Sequence, residues 1–194
     1  MILDNSLAAL PRAYELIGQK SREIGFDMPS DTDTGVLLRL LVASKPNGRF
    51  LEIGTGTGLG LSWILDGAQG ICSIQSVDNN AEYQLVAKDI MGNDKACEII
   101  LTDAAEWLTQ QEKDSYDLIF ADAWPGKYEL VDETIALLKL GGYYVIDDML
   151  PQANWPQGHQ EKAEKLKSEL LQRNDLFWLC LPWSTGVMIG VRKQ

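Results

Sequence analysis

The groups in this sequence that could do chemistry collect where apolar runs end. Glu52-Ile53-Gly54-Thr55-Gly56-Thr57-Gly58 follows one short apolar run and precedes another with helical periodicity. A strand, a glycine turn and a helix N-terminus leave backbone N–H groups pointing outward, and glycine lets a ligand approach with no Cβ in the way. Such a loop holds a nicotinamide cofactor, a nucleotide phosphate or S-adenosylmethionine. The dinucleotide spacing G-x-G-x-x-G fits neither frame, because its third place falls on Leu59 or on Leu61. Glu52 would repel a pyrophosphate and would suit a ligand carrying a sulfonium and an amino group. Asp78, followed by Asn79, ends the next apolar run, where a carboxylate accepts both ribose hydroxyls. Asp103, followed by Ala104, ends the third and could meet an adenine amine, although turns also favour Asp.

A second group is acidic. Asp122 ends the run Asp117–Ala121, and Asp147-Asp148 ends the run at Tyr143–Ile146. Three carboxylates converging on one face repel one another unless a cation lies between them, and hard oxygen ligands suit Mg²⁺, Mn²⁺ or Ca²⁺. The alternative is that Asp122 and Asp147 cap the following loops and Asp148 is solvated. His159 is the only histidine. It reads either as a general base or as a turn residue at the start of the last long helix. Trp124, Trp155 and Trp183 read as a lining for a flat apolar substrate or as packing between loops.

These groups need elements to position them. The pattern predicts helices from Asn5 to Ile24 and from Asp31 to Ser44, then strands and helices in alternation. The strands fall at Arg49–Ile53, Ile71–Val77, Ala96–Leu101, Tyr116–Ala121 and Gly142–Ile146. The helices fall at Gly58–Gly67, Asn80–Met91, Ala104–Glu112, Tyr128–Leu138 and Gln160–Asn174. Strands separated by single helices pair in parallel with right-handed crossovers. Leu176–Leu181 and Gly186–Val191 are joined by four residues only, so they form a hairpin and the last strand runs antiparallel. The expected class is α/β: a doubly wound, Rossmann-like, mostly parallel seven-stranded sheet with an antiparallel last strand and extra N-terminal helices. One domain is expected over residues 1–194, with a helical cap over 1–45 and a core over 46–194.

The 194 residues carry 17 Lys and Arg against 28 Asp and Glu, a net charge of −11. That balance argues against nucleic acid and anionic membrane partners, which basic residues bind. No run approaches a membrane span, and MILDNSLAALPR lacks the features of a signal peptide. Cys72, Cys97 and Cys180 have no metal-ligand spacing and read as small buried residues in a reducing compartment. A cytoplasmic protein is expected.

On Glu52 to Gly58, the strand-end acids and the terminal hairpin, the whole chain resembles the class I S-adenosylmethionine-dependent methyltransferases. It is similar in particular to the O-methyltransferases that include the catechol and caffeoyl-CoA enzymes. The resemblance implies Glu52, Gly54, Thr55, Gly56, Gly58, Asp78, Asn79, Asp103 and Ala104 at the cofactor. Residues 31–41 are similar to the segment that lies over the cofactor, which implies Thr34 and Gly35 beside its methionine end; an ordinary capped helix start is the other reading. Metal-dependent members place an Asp at Asp122 and an Asp-Asn pair at Asp147-Asp148, where this chain has Asp-Asp. The cation binds two neighbouring substrate hydroxyls and lowers the pKa of one. Members often carry a Lys as base three residues after the first Asp. Here that place is Pro125, and Lys127 follows two residues later. The resemblance thus implies Asp122 as a catalytic candidate and Trp124 and Tyr128 at a small-molecule acceptor; with the family lysine place taken by Pro125, Lys127 and His159 are the remaining candidates for the base, and Trp155 joins the aromatic lining. It also implies a homodimer, as in many bacterial relatives. An enzyme acting on a tRNA base, a nicotinamide oxidoreductase and a cofactor binder without turnover are the other readings.

Overall fold

The computed structural model describes residues 9–152 and 155–193. Their elements in chain order are α1 Tyr14–Glu23, α2 Thr32–Ala43, β1 Arg49–Ile53, α3 Leu59–Gly67, β2 Ser73–Asp78, α4 Ala81–Met91 and β3 Cys97–Leu101. After these come α5 Ala104–Leu108, β4 Tyr116–Ala121, α6 Val131–Leu137, β5 Leu138–Ile146, α7 His159–Leu171, β6 Leu176–Leu181 and β7 Val187–Arg192. Among the described residues the strands form one seven-stranded sheet in the order β3-β2-β1-β4-β5-β7-β6. The first five pair in parallel, while β7 runs antiparallel between β5 and β6.

Side chains alternate across the strands, so the sheet has two buried faces. Phe50, Leu118 and Phe120 pack with Ile17, Leu38, Ile64 and Met91, which brings α1 to α4 onto one face. Leu51, Ile53, Ile119 and Ala121 pack with Leu108, Ile135, Leu166 and Leu170, which brings α5 to α7 onto the other. The register aligns Ile53 with Val77 and Ala121, Ala121 with Ile146, and Asp78 with Leu101. The carboxyl ends of β1 to β5 therefore share one edge, and the strand-end acids stand in a row along it.

Several boundaries differ from the sequence expectations. Asn5 lies outside the described residues. Within them, α1 starts only at Tyr14, after the turn at Pro11. β2 starts at Ser73 because Ile71 is 88% exposed and outside the ladder. α5 stops at Leu108, and α6 starts at Val131, past an irregular 122–130 segment. β5 starts at Leu138, directly after α6, because a bulge opposite Tyr116–Leu118 absorbs Gly141 and Gly142. Cys72 is buried, but Cys180 is exposed: it lies on the edge strand β6, which also exposes Phe177 and Leu179. No helix among the described residues is long and apolar enough to cross a membrane.

Candidate active site

The loop after β1 is shaped for close approach. Gly54, Gly56 and Gly58 all have positive φ, a conformation that costs a Cβ-bearing residue energy. Gly54 lies against the backbone of Asp122, where a Cβ would come within 2.8 Å of the carbonyl oxygen. Gly56 donates its N–H to Asp78 Oδ2 at 2.8 Å and faces the ring of Phe26, which is tilted against Tyr83. Gly54, Thr55, Gly56, Gly60, Asp78 and Asp122 line part of a cavity of about 270 Å³. A smaller cavity of about 150 Å³ continues past Gly54 and Asp78 to Asn79, Asp103 and Ala104. Asp103 also caps α5, accepting from the Ala105 N–H at 2.7 Å; it is a cap and a wall at once.

Glu52 does not line these cavities. It is 1% exposed, and Ser76 donates to its Oε2 at 2.5 Å. Its Oε1 faces Gly60, where a Cβ would come within 2.6 Å, so Gly60 separates the carboxyl from the cavity. Burial pushes Glu52 up to about 8; the Ser76 hydrogen bond opposes the rise and the charge of Asp78 adds to it. Gly58 is also set back, with Ala87 and Met91 of α4 where a Cβ would go. Thr34 and Gly35 lie behind the cleft, in the α2–α3 contact. Thr34 is fully buried and bonds to its own helix cap, Asp31, while Gly35 lies under the Trp63 indole.

Asp122 stands at the junction with a third cavity, of about 400 Å³, which shares Met28, Pro29, Ser30, Asp122, Ala123 and Asp148 with the glycine-lined one. Ser30 donates to Asp122 Oδ2 at 3.3 Å. Asp147 accepts from Thr185 Oγ1 at 2.6 Å and from the Asp148 N–H at 2.8 Å. Lys127 is 4% exposed, and its Nζ lies 3.9 Å from Asp148 Oδ2. The chain therefore delivers a lysine to this floor although Pro125 occupies the expected lysine place. Burial, followed by the charges of Asp147 and Asp148, raises Asp122 well above the usual carboxylate range, with Lys127 opposing. Burial and the charge of Asp148 raise Asp147 to about 6.

Among the described residues no three His, Cys, Asp or Glu side chains are grouped so as to hold a metal ion. Asp147 is engaged by Thr185, and the cation beside Asp148 is an ammonium. As folded, the charge that offsets these carboxylates is the Lys127 ammonium.

Aromatic rings build the opposite wall. His159 is the first residue of α7, after Gly158 in the left-handed conformation. Trp155 stacks on it with ring centres 4.3 Å apart, and the His159 Nε2 shares a 3.0 Å hydrogen bond with the Tyr128 hydroxyl. Trp124 meets Tyr128 and His159 edge to face. Burial and then the charge of Lys127 lower the His159 pKa, and burial raises Tyr128 to about 12. Trp183 does not line this cavity. The residues that sequence reasoning missed are Phe26, Ser30 and Thr185, which have no local motif; each reaches the cleft only through the tertiary fold.

The chain matches the sequence profile of the O-methyltransferase family over residues 9–177. A relative from Mycolicibacterium smegmatis, named "Putative O-methyltransferase", is 33% identical over 119 residues, covering 58% of this chain and 56% of that protein. The chain spans about half the length of the curated relatives it matches. A solved protein from Corynebacterium glutamicum superposes with a TM-score of 0.84 at 22% identity, covering 98% of this chain and 94% of that one. The O-methyltransferase TomG from Streptomyces achromogenes, solved in complex with SAM, superposes with a TM-score of 0.83 at 20% identity over the same shares. With the profile covering most of its length, the chain belongs to the O-methyltransferase family.

Proposed function

We propose that this chain transfers a methyl group from S-adenosylmethionine to a hydroxyl oxygen of a small aromatic acceptor. The observation that carries the reading is the join at Asp122, where a glycine-lined cavity opens into an aromatic-walled one. The SAM complex of TomG supports the choice of cofactor for a chain of the same fold. The glycine-lined cavity would take the methionine end, Asp78 the ribose and the recess at Asp103 and Ala104 the adenine. The cradle fits, since Gly54 and Gly56 hold conformations and contacts that a Cβ would break.

When bound, S-adenosylmethionine supplies an electrophilic methyl group that needs alignment more than activation. The chain's own work is to hold an oxygen in line with it. Trp124, Tyr128 and Trp155 fix the ring plane, and Tyr128 is itself held by His159. Lys127 offers a buried positive charge to the oxygen as it becomes anionic. Asp122 accepts the hydroxyl proton. A carboxyl held above its usual range is a better proton acceptor once ionised, and Lys127 favours that ionisation. The positive charge beside the oxygen thus comes from Lys127, without a divalent cation.

The test is methyl transfer from S-adenosylmethionine to a panel of mono- and dihydroxylated aromatics, read by mass spectrometry with and without chelator. O-Methylated product is expected, at a rate that chelator leaves unchanged. Lys127→Met should lower kcat by about a hundredfold, the size of one preorganised charge. Cofactor binding without product from any acceptor would leave a binder. Loss of the rate in chelator would restore the divalent cation.

A further inference from the structure

The terminal hairpin delivers its turn to the floor of the cleft. β7 runs antiparallel to both β5 and β6, so β6 ends at the edge where β5 ends. The turn of residues 182–186 therefore meets the loop that follows β5. The two are bonded along their backbones: the Met149 N–H donates to the Gly186 carbonyl at 2.9 Å, and the Leu150 N–H to the Thr185 carbonyl at 2.8 Å. Gln152 Nε2 ties the same loop together, donating to the Leu150 carbonyl at 2.9 Å. Gly186, with φ of +84°, lies so close that a Cβ would come within 2.5 Å of Leu150 Cγ.

The Thr185 hydroxyl joins this junction to the carboxylates. It donates to Asp147 Oδ1 at 2.6 Å, and the same oxygen accepts the Asp148 N–H at 2.8 Å. Asp147 is 3% exposed, so a donor lost there is not simply replaced by solvent. Asp148 has φ of +54°, a left-handed conformation that a residue with a Cβ keeps only where its surroundings hold it. From that conformation its Oδ2 lies 3.9 Å from the buried Lys127 Nζ. Resting on the methyl-transfer reading, we propose that Thr185 is a positioning residue: through Asp147 it holds the turn at Asp148, and so keeps the Lys127 ammonium where the acceptor oxygen becomes anionic. Its contribution to the rate passes through Asp147 and Asp148.

The experiment compares the parent, Thr185→Val and Thr185→Ser in methyl transfer to the panel of mono- and dihydroxylated aromatics, phenol and catechol among them. In parallel, S-adenosylhomocysteine affinity is measured by calorimetry. Valine keeps the shape of threonine without its donor, and serine keeps the donor. Thr185→Val is expected to lower kcat about tenfold, the scale of a slightly displaced group at the reacting centre. Its S-adenosylhomocysteine affinity should stay within about twofold of the parent, as for a site with no shared partners. Thr185→Ser should restore most of the rate. Asp148→Asn keeps the left-handed turn but removes the charge facing Lys127. In that background Thr185→Val should cost less than about threefold further, because the two changes cut one chain of contacts. An unchanged kcat in Thr185→Val, a loss that serine does not restore, or losses that multiply in full in the double variant overturn the proposal. So does an equal fall in kcat and S-adenosylhomocysteine affinity, which is a structural effect. If Thr185→Val does not fold, Thr185→Ala makes the same comparison at this half-buried position. Failure of both to fold makes the hydroxyl structural and overturns the proposal. A parent that binds S-adenosylhomocysteine and methylates no member of the panel removes the methyl-transfer reading, and the proposal with it.

Discussion

Glu52 shows how a single residue can be placed correctly by its sequence neighbourhood and still do different work. Its position after β1 suggests a ligand contact, yet Gly60 stands between its carboxyl and the cavity, and Ser76 holds it from below. Its folded pKa of about 8 lies above the usual 4.5, so the native state keeps a proton that the unfolded chain releases. Stability from this group is therefore full below about pH 4.5 and falls as pH rises toward 8. Glu52→Gln should match the parent near the acid end and exceed it by a few kcal/mol near pH 8, on the order set by such a shift. Urea unfolding at both pH values checks this, and a difference that does not change with pH would contradict it. Asp78, Asp103, Asp122 and Asp147 were legible because a strand end is marked in the sequence itself. The Thr185–Asp147 and Ser30–Asp122 bonds were not, since they join residues 38 and 92 apart with no shared motif.

At the scale of elements, one glycine run serves two purposes. Gly54 and Gly56 face the cleft, while Gly58 makes room for α4. Gly58→Ala would place its Cβ 2.8 Å from the Ala87 methyl in a backbone with φ of +96°. A loss of about 1–3 kcal/mol in unfolding free energy is expected, with S-adenosylhomocysteine affinity kept by the folded fraction. Unchanged stability with lost affinity would move Gly58 back into the cofactor site. The spacing alone could not separate these roles, because it shows which residues lack a Cβ and not what stands opposite. The β1 limits and the terminal hairpin were readable from apolar runs bounded by turn residues. The β5 start was not, since a Gly-Gly pair marks a strand boundary and a bulge equally well.

For the whole molecule, the alternation of strands and helices was enough to predict the parallel sheet and its reversed strand, because connection lengths leave few topologies open. That topology brings five strand ends to one edge and joins three cavities into a single cleft, with Asp122 at the midpoint. Cleft volume and ring packing depend on side chains from distant elements, so they stayed hidden until the fold was known. The central claim is that the glycine end of this cleft holds S-adenosylmethionine. Its most direct test is calorimetric titration with S-adenosylhomocysteine and, separately, NAD⁺, on the parent and on Gly56→Val. That substitution would push a side chain toward Phe26, 2.9 Å from the Cβ position. Binding of S-adenosylhomocysteine by the parent alone, with no heat from NAD⁺ and with Gly56→Val still folded, is the predicted result. Binding of NAD⁺, or equal S-adenosylhomocysteine affinity in both proteins, would contradict the claim.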